Sequence, residues 1–245
     1  MKSTTTLASF VALAATVFGS AHHYHQQQVL LHHLARLFTA ANAPVPSQAT
    51  GFQMNAGASV NFQVADTWSG RIWPRTECDF SQPDTTSCAT GSCLGGLECS
   101  TTGGTDIPPA TLAEFTLASS GNDNYDVSLV DGFNVPLQIT PSASGCTAPE
   151  CSANLNPNCP ASLQVKDGSG AIVGCKSDCA ATNDSAACCT GDHSTPATCP
   201  SSGVPDYQYF KGPCPQAYVY AYDDASSLFT CAASSSADYT ITFCP

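Results

Sequence analysis

Fifteen cysteines in 245 residues constrain this chain more than any other feature, because they fall in clusters. Four lie between Cys78 and Cys99, nine between Cys146 and Cys214, and Cys231 and Cys244 follow. Whether they are thiols or bridges depends on the compartment, and the N-terminus speaks to that. Lys2 precedes an apolar run at residues 7–18 (LASFVALAATVF), then Gly-Ser-Ala. This reads as a secretory leader over residues 1–21, too short to span a bilayer comfortably, with cleavage expected after Ala21. A secreted chain meets an oxidising environment, so the cysteines are expected to form a disulfide framework.

The residues between the cysteines set the fold class. Short β-rich runs at 59–64, 70–73, 112–117, 125–130, 135–140, 217–222 and 239–243 are separated by Gly, Pro, Ser and Asn clusters. That pattern predicts a mainly β protein, a sandwich or barrel. In the terminal YTITF, Tyr239, Ile241 and Phe243 alternate with threonines, as in a half-buried strand. Residues 146–214 lack apolar periodicity, cannot bury much core, and need disulfides to hold their shape. They are expected to form a lobe inserted into the sandwich, with at most one short helix near 177–187.

Charge excludes some partners. The formal net charge is -12, and after Lys2 the basic residues are only Arg36, Arg71, Arg75, Lys166, Lys176 and Lys211. No basic patch is available for phosphates or anionic headgroups, so nucleic acid and membrane insertion are not expected. A neutral or cationic ligand, such as a sugar polymer, fits better.

Eight blocks in order carry a family resemblance: GRIWPRTECDF (70–80), SCATGSCLGGLEC (87–99), PPATLAEFTL (108–117), NYDVSLVDGFNVP (124–136), GCKSDC (174–179), the pair Cys188-Cys189, YFKGPCPQAYVYAYDD (209–224) and DYTITFCP (238–245). Over residues 37–245 the chain resembles the thaumatin-like proteins, most closely the fungal members. The resemblance implies a β-sandwich, a disulfide-rich lobe, a small disulfide loop, and an acidic cleft between sandwich and lobe. It also implies the pairings Cys78–Cys88, Cys93–Cys99, Cys146–Cys231, Cys151–Cys214, Cys159–Cys175, Cys179–Cys188 and Cys189–Cys199. Two departures stand out. No cysteine precedes Cys78 to pair with Cys244, and residues 22–36, rich in His and Gln, occupy the place of the family's first strand. An unpaired sandwich edge and a free Cys244 are therefore expected. Ser92 also stands where an aspartate is usual.

The family's acidic members share one arginine, one glutamate and three aspartates. Matched motif by motif these are Arg71, Glu114, Asp126, Asp131 and Asp223. Along a flat strand Asp126 and Asp131 would sit on opposite faces, roughly 16 Å apart. They can share a site only if Asp131-Gly132 turns the chain back. Otherwise Asp131 merely supports that turn. A glycosidase needs one protonated acid and one ionised base or nucleophile. Glu114 (acid) and Asp131 are the expected catalytic pair, with Arg71, Asp126 and Asp223 as substrate-binding residues. A plain salt bridge is the competing role for Arg71. Phe133, Tyr207, Tyr209, Phe210 and Tyr218 are candidate sugar platforms that core packing explains equally well.

No metal or other cofactor is expected. Either cleavage position, after Ser20 or after Ala21, would create a copper-binding histidine arrangement (His23 third or His22 first). The only histidine beyond residue 33 is His193, and a non-native stretch is the plainer explanation. Asn183 lies in an N-glycosylation triplet, Asn-Asp-Ser. The expected protein is a secreted monomer of the extracellular space or cell wall that binds β-1,3-glucan and cleaves it weakly in an endo fashion. A non-catalytic glucan-binding or defence-type wall protein is the alternative. Membrane permeabilisation fits poorly with the negative charge.

Overall fold

A computed structural model describes the backbone of residues 11–17, and residues 33–81, 87–100 and 107–245. Two sheets face each other. The first has five strands: β1 (Val11–Val17), β4 (Ser59–Val64), β9 (Leu137–Pro141), β10 (Glu150–Cys151) and β15 (Tyr239–Phe243), in the order β10-β9-β15-β1-β4. The second has eight. Its main path joins β13 (Ala217–Tyr218), β8 (Asn122–Ser128), β7 (Leu112–Ser119), β5 (Ser69–Cys78), β2 (His33–Thr39) and β3 (Gly51–Met54) in that order. There β14 (Phe229–Ala232) pairs with β8, and β6 (Cys88–Thr90) with β5. A separate hairpin, β11 (Gln164–Lys166) and β12 (Ile172–Cys175), belongs to the lobe.

Strand alternation decides what lies between the sheets. In β7, Ala113, Phe115 and Leu117 point inward; in β8, Tyr125 and Val127 do. They meet Ile139 and the predicted inner face of β15, where Tyr239, Ile241 and Phe243 have no exposed surface. Tyr239 stands 5.3 Å from Phe115 and 5.1 Å from Tyr125, centroid to centroid. Its hydroxyl donates to Asp123 Oδ2 at 2.9 Å, and Asp123 Oδ1 accepts from Ala118 N at 2.9 Å. A buried carboxyl and a buried phenol thus satisfy each other, as burial requires.

With residues 11–17 present, the backbone of β1 runs parallel to β15 and antiparallel to β4, and so covers the edge expected to be unpaired in a chain without its leader. Seven residues of the presumed leader occupy that place, because a continuous apolar run suits a strand with neighbours on both sides. The atypical segment also ends earlier than expected. β2 begins at His33, and Leu34, Ala35 and Arg36 are buried in the sheet, so tertiary pairing recruits residues whose sequence looked foreign. Residues 22–32, and with them both copper arrangements, lie outside the described residues. Cys244 is free, as expected.

The disulfides close as the resemblance implies: Cys78–Cys88, Cys93–Cys99, Cys146–Cys231, Cys151–Cys214, Cys159–Cys175, Cys179–Cys188 and Cys189–Cys199. The lobe holds more helix than expected: α1 (Asp178–Thr182), α2 (Ser185–Cys188) and α3 (Tyr207–Lys211). Local chemistry starts the first two, since Ser177 accepts from Ala180 N and Asp184 from Ala186 N. Single turns like these escape a search for apolar periodicity, and Cys179–Cys188 staples them together. Asn183 is exposed at the end of α1.

The small loop is held by a cation. Arg75 is fully buried and donates to Gly96 O and Leu97 O, each at 2.8 Å. Burial lowers its pKa to about 10. Gly51 lies so close that an added Cβ would fall 1.7 Å from Leu97 O.

The buried phenol predicts a measurable cost. Tyr239→Phe leaves Asp123 Oδ2 without its donor and should lower the unfolding free energy by about 1–3 kcal/mol. Denaturant titration reads this directly, and a change under about 0.5 kcal/mol would show that the bond contributes nothing.

Candidate functional site

The outward faces of β5, β7 and β8 carry the expected residues, and the ladder register lines them up. Arg71 stands opposite Glu114, and Glu114 opposite Asp126. On the other side Arg71 faces Phe38 of β2. Inward aromatic and aliphatic residues therefore alternate with one outward row of four: Phe38, Arg71, Glu114, Asp126.

Asp131 joins this row because the chain turns after β8. Gly132 N donates to Leu129 O at 2.8 Å and Val130 N to Ser128 Oγ at 3.3 Å. Gly132 has φ +95°, and an added Cβ would meet Cys175 O at 2.4 Å. Only glycine fits there. Those bonds close the turn, which frees the Asp131 carboxylate for Arg71.

Arg71 bridges two acids. Its Nη1 lies 3.4 Å from Asp131 Oδ2 and 3.8 Å from Glu114 Oε1. The two carboxyl oxygens are therefore at most about 7 Å apart. The side chains remain partly open to solvent, at 23% for Arg71, 34% for Glu114 and 28% for Asp131. Arg71 also lies over the Phe38 ring, 5.6 Å from its centroid.

Around these residues is a concavity of about 250 Å³, walled additionally by Leu112, Ser128 and Tyr218. Desolvation there raises the Glu114 pKa; Arg71 opposes the rise and Asp131 adds to it. Asp126 is raised further, by desolvation first, then by Glu114 and Asp224. One of its oxygens, Oδ1, is buried without a hydrogen-bond partner among the described residues. An acceptor in that position is filled by a proton or by a ligand hydroxyl.

Asp223 is not part of this group. It is buried and accepts from Lys211 Nζ at 2.8 Å, Tyr207 Oη at 3.0 Å and Val219 N at 3.1 Å. It begins α4 (Asp224–Ser227) and turns inward to the lone lysine of that stretch. Its neighbour Asp224 is the one turned toward the site, accepting from the Tyr218 hydroxyl at 2.8 Å. The presence of Lys211 in the same block was the sequence signal for a structural ion pair.

Of the five candidate aromatics only Tyr218 lines the concavity. Phe133 and Phe210 are core residues, Tyr207 bonds Asp223, and the Tyr209 hydroxyl donates to Leu155 O. Phe38 was missed, and only the β2–β5 register reveals it. His193 is half-buried with Nδ1 2.7 Å from Thr198 O, and no metal-holding group of His, Cys, Asp or Glu occurs among the described residues. No helix among them is long and apolar enough to cross a membrane.

The pattern described as the thaumatin family matches residues 34–245, and the chain belongs to that family. It is 50% identical over 197 residues to pathogenesis-related thaumatin-like protein 3.5 of Cryptomeria japonica, covering 80% of this chain and 78% of the relative. It is 46% identical over 201 residues to thaumatin-like protein 1 of Pyrus pyrifolia, covering 80% of each. It is 43% identical over 200 residues to a Prunus avium protein named glucan endo-1,3-beta-glucosidase, covering 80% of this chain and 79% of that one. All three are plant proteins, whereas the sequence blocks pointed most closely to fungal members.

Two predictions separate structural from site residues. Removing one partner of a buried ion pair costs roughly 3–5 kcal/mol, so Lys211→Met should lower unfolding free energy by about that much through Asp223. Unchanged stability in urea would contradict the structural role. Asp126 has its folded pKa raised above the ordinary 3.8. Its folding contribution is therefore intact below that value and is lost as pH rises toward the folded pKa. Asp126→Asn should remove that loss, and unfolding curves across acidic to neutral pH with the same slope in both proteins would refute it.

Proposed function

We propose that this is a secreted protein that binds β-1,3-glucan in an acidic cleft and slowly hydrolyses internal β-1,3 bonds of cell-wall polysaccharide. The observation that carries the reading is Arg71 bridging Glu114 and Asp131, whose carboxyl oxygens are no more than about 7 Å apart. Glycosidases place their two carboxyls about 5–5.5 Å apart for retention and about 6.5–9.5 Å for inversion. The bound supports retention or the closest inverting geometry, and argues against the wide separation of a site that only binds.

The roles follow from the environments. Glu114, whose pKa burial raises, is the carboxyl assigned to donate to the leaving oxygen. Asp131, paired with Arg71, is the carboxylate that acts as base or nucleophile. Asp126, with its unpartnered oxygen, takes a sugar hydroxyl. The Prunus avium relative's name supports a β-1,3-glucan substrate. Three carboxyls against one guanidinium favour a neutral polymer over an anionic one. Asp223 has no role at the site and maintains the fold.

Reducing-end release from linear β-1,3-glucan, with pelleting on insoluble glucan alongside, tests this. Glu114→Gln should reduce release at least about a hundredfold while pelleting persists. Pelleting without release by the unaltered protein would leave a glucan-binding wall protein, and release undiminished in the variant would remove Glu114 from the chemistry.

A further inference from the structure

The concavity beside Tyr218 does not end at Arg71. A second hollow of about 280 Å³ shares Arg71, Glu114 and Asp126 with the first and continues over the open face of the same sheet. Its floor is a second register row, one pair further along the strands: Ser69 opposite Thr116, and Thr116 opposite Asn124. Two residues along a strand is about 7 Å, so the two rows are adjacent and parallel. The Ser69 and Thr116 hydroxyls share a hydrogen bond at 3.2 Å. Phe38 closes one end of this floor, and Leu228, 42% exposed, closes the other. From β2 to β14 the hollow crosses five strands, a span of about 19 Å at normal strand spacing.

We propose that this second hollow is a further stretch of glucan-binding floor, holding the polysaccharide on the side of the carboxyls away from Tyr218. The proposal rests on the glucan reading of the first concavity. The chemistry of the floor fits a neutral pyranose chain: uncharged hydroxyl and amide groups for sugar hydroxyls, with apolar walls for the C–H faces of the rings. A site with floor on both sides of its carboxyl pair accommodates an internal stretch of chain, and no chain end has to enter. Position in the groove, rather than recognition of a terminus, then sets where the bond breaks. Thr116 is the residue to alter, because it is exposed on the open face and stands opposite Asn124, outside the register row that carries the carboxyls.

The test is calorimetric titration with β-1,3-gluco-oligosaccharides of increasing length, on the unaltered protein and on Thr116→Trp, which fills the second hollow. Affinity of the unaltered protein should climb with length beyond what the first concavity holds. Thr116→Trp should bind the shortest ligands unchanged and the longest about tenfold more weakly. Should the tryptophan disturb folding, Thr116→Val with Asn124→Ala removes only polar groups and should weaken the longest ligands by about two- to tenfold. Affinity independent of length, or variants equal to the unaltered protein on the longest ligand, would overturn the second floor and leave the first site standing. No binding at any length would overturn the glucan reading itself, and this proposal with it.

Discussion

The ladder joining β5, β7 and β8 fixes where every charged group of the site stands. Because side chains alternate, a slip of one residue in β7 would turn Phe115 toward water and bury Glu114 between the sheets. Phe115 is held against that slip by Trp68, Tyr125 and Tyr239. The aromatic core is thus what keeps the acids in line. Two carboxyls directly opposite each other are unfavourable, and Arg71 on the next strand offsets part of that cost. Burial is the first cause of the raised pKa of Glu114 and of Asp126, and neighbouring carboxyls add to it, so the fold holds a preference for the protonated form.

The lobe contributes by position more than by side chains. It has little core of its own, and four disulfides bridge residues within it. Its hairpin meets the sandwich where Phe133 and Cys175 exchange backbone hydrogen bonds at 2.7 and 2.8 Å. That contact sits directly after the turn that carries Asp131. A rigid lobe therefore sets the Asp131 turn against the Arg71 strand, and a change in the lobe's frame would be felt as a change in carboxyl spacing.

Much of this was legible in the sequence where local pattern and long-range structure agree. The runs at 59–64 and 239–243 coincide with β4 and β15 to the residue. The Asp131-Gly132 turn was readable because glycine there has a steric cause. The run at 217–222 shrank to the two residues of β13, because β8 offers it only two partners. Asp223 and Asp224 could not be told apart, since adjacent residues face opposite ways and only the position of Lys211 decides which turns inward. Phe38 and the floor beyond Arg71 depend on register between strands distant in sequence, which no local pattern encodes.

β1 has a consequence for the life of the chain. Among the described residues its ladder is the only one β4 has, and it is one of two for β15. The same seven residues lie inside the stretch that reads as an export leader. If that leader is removed after Ala21, the cut takes a strand out of the sheet and leaves two facing rows of backbone donors and acceptors that another strand could occupy.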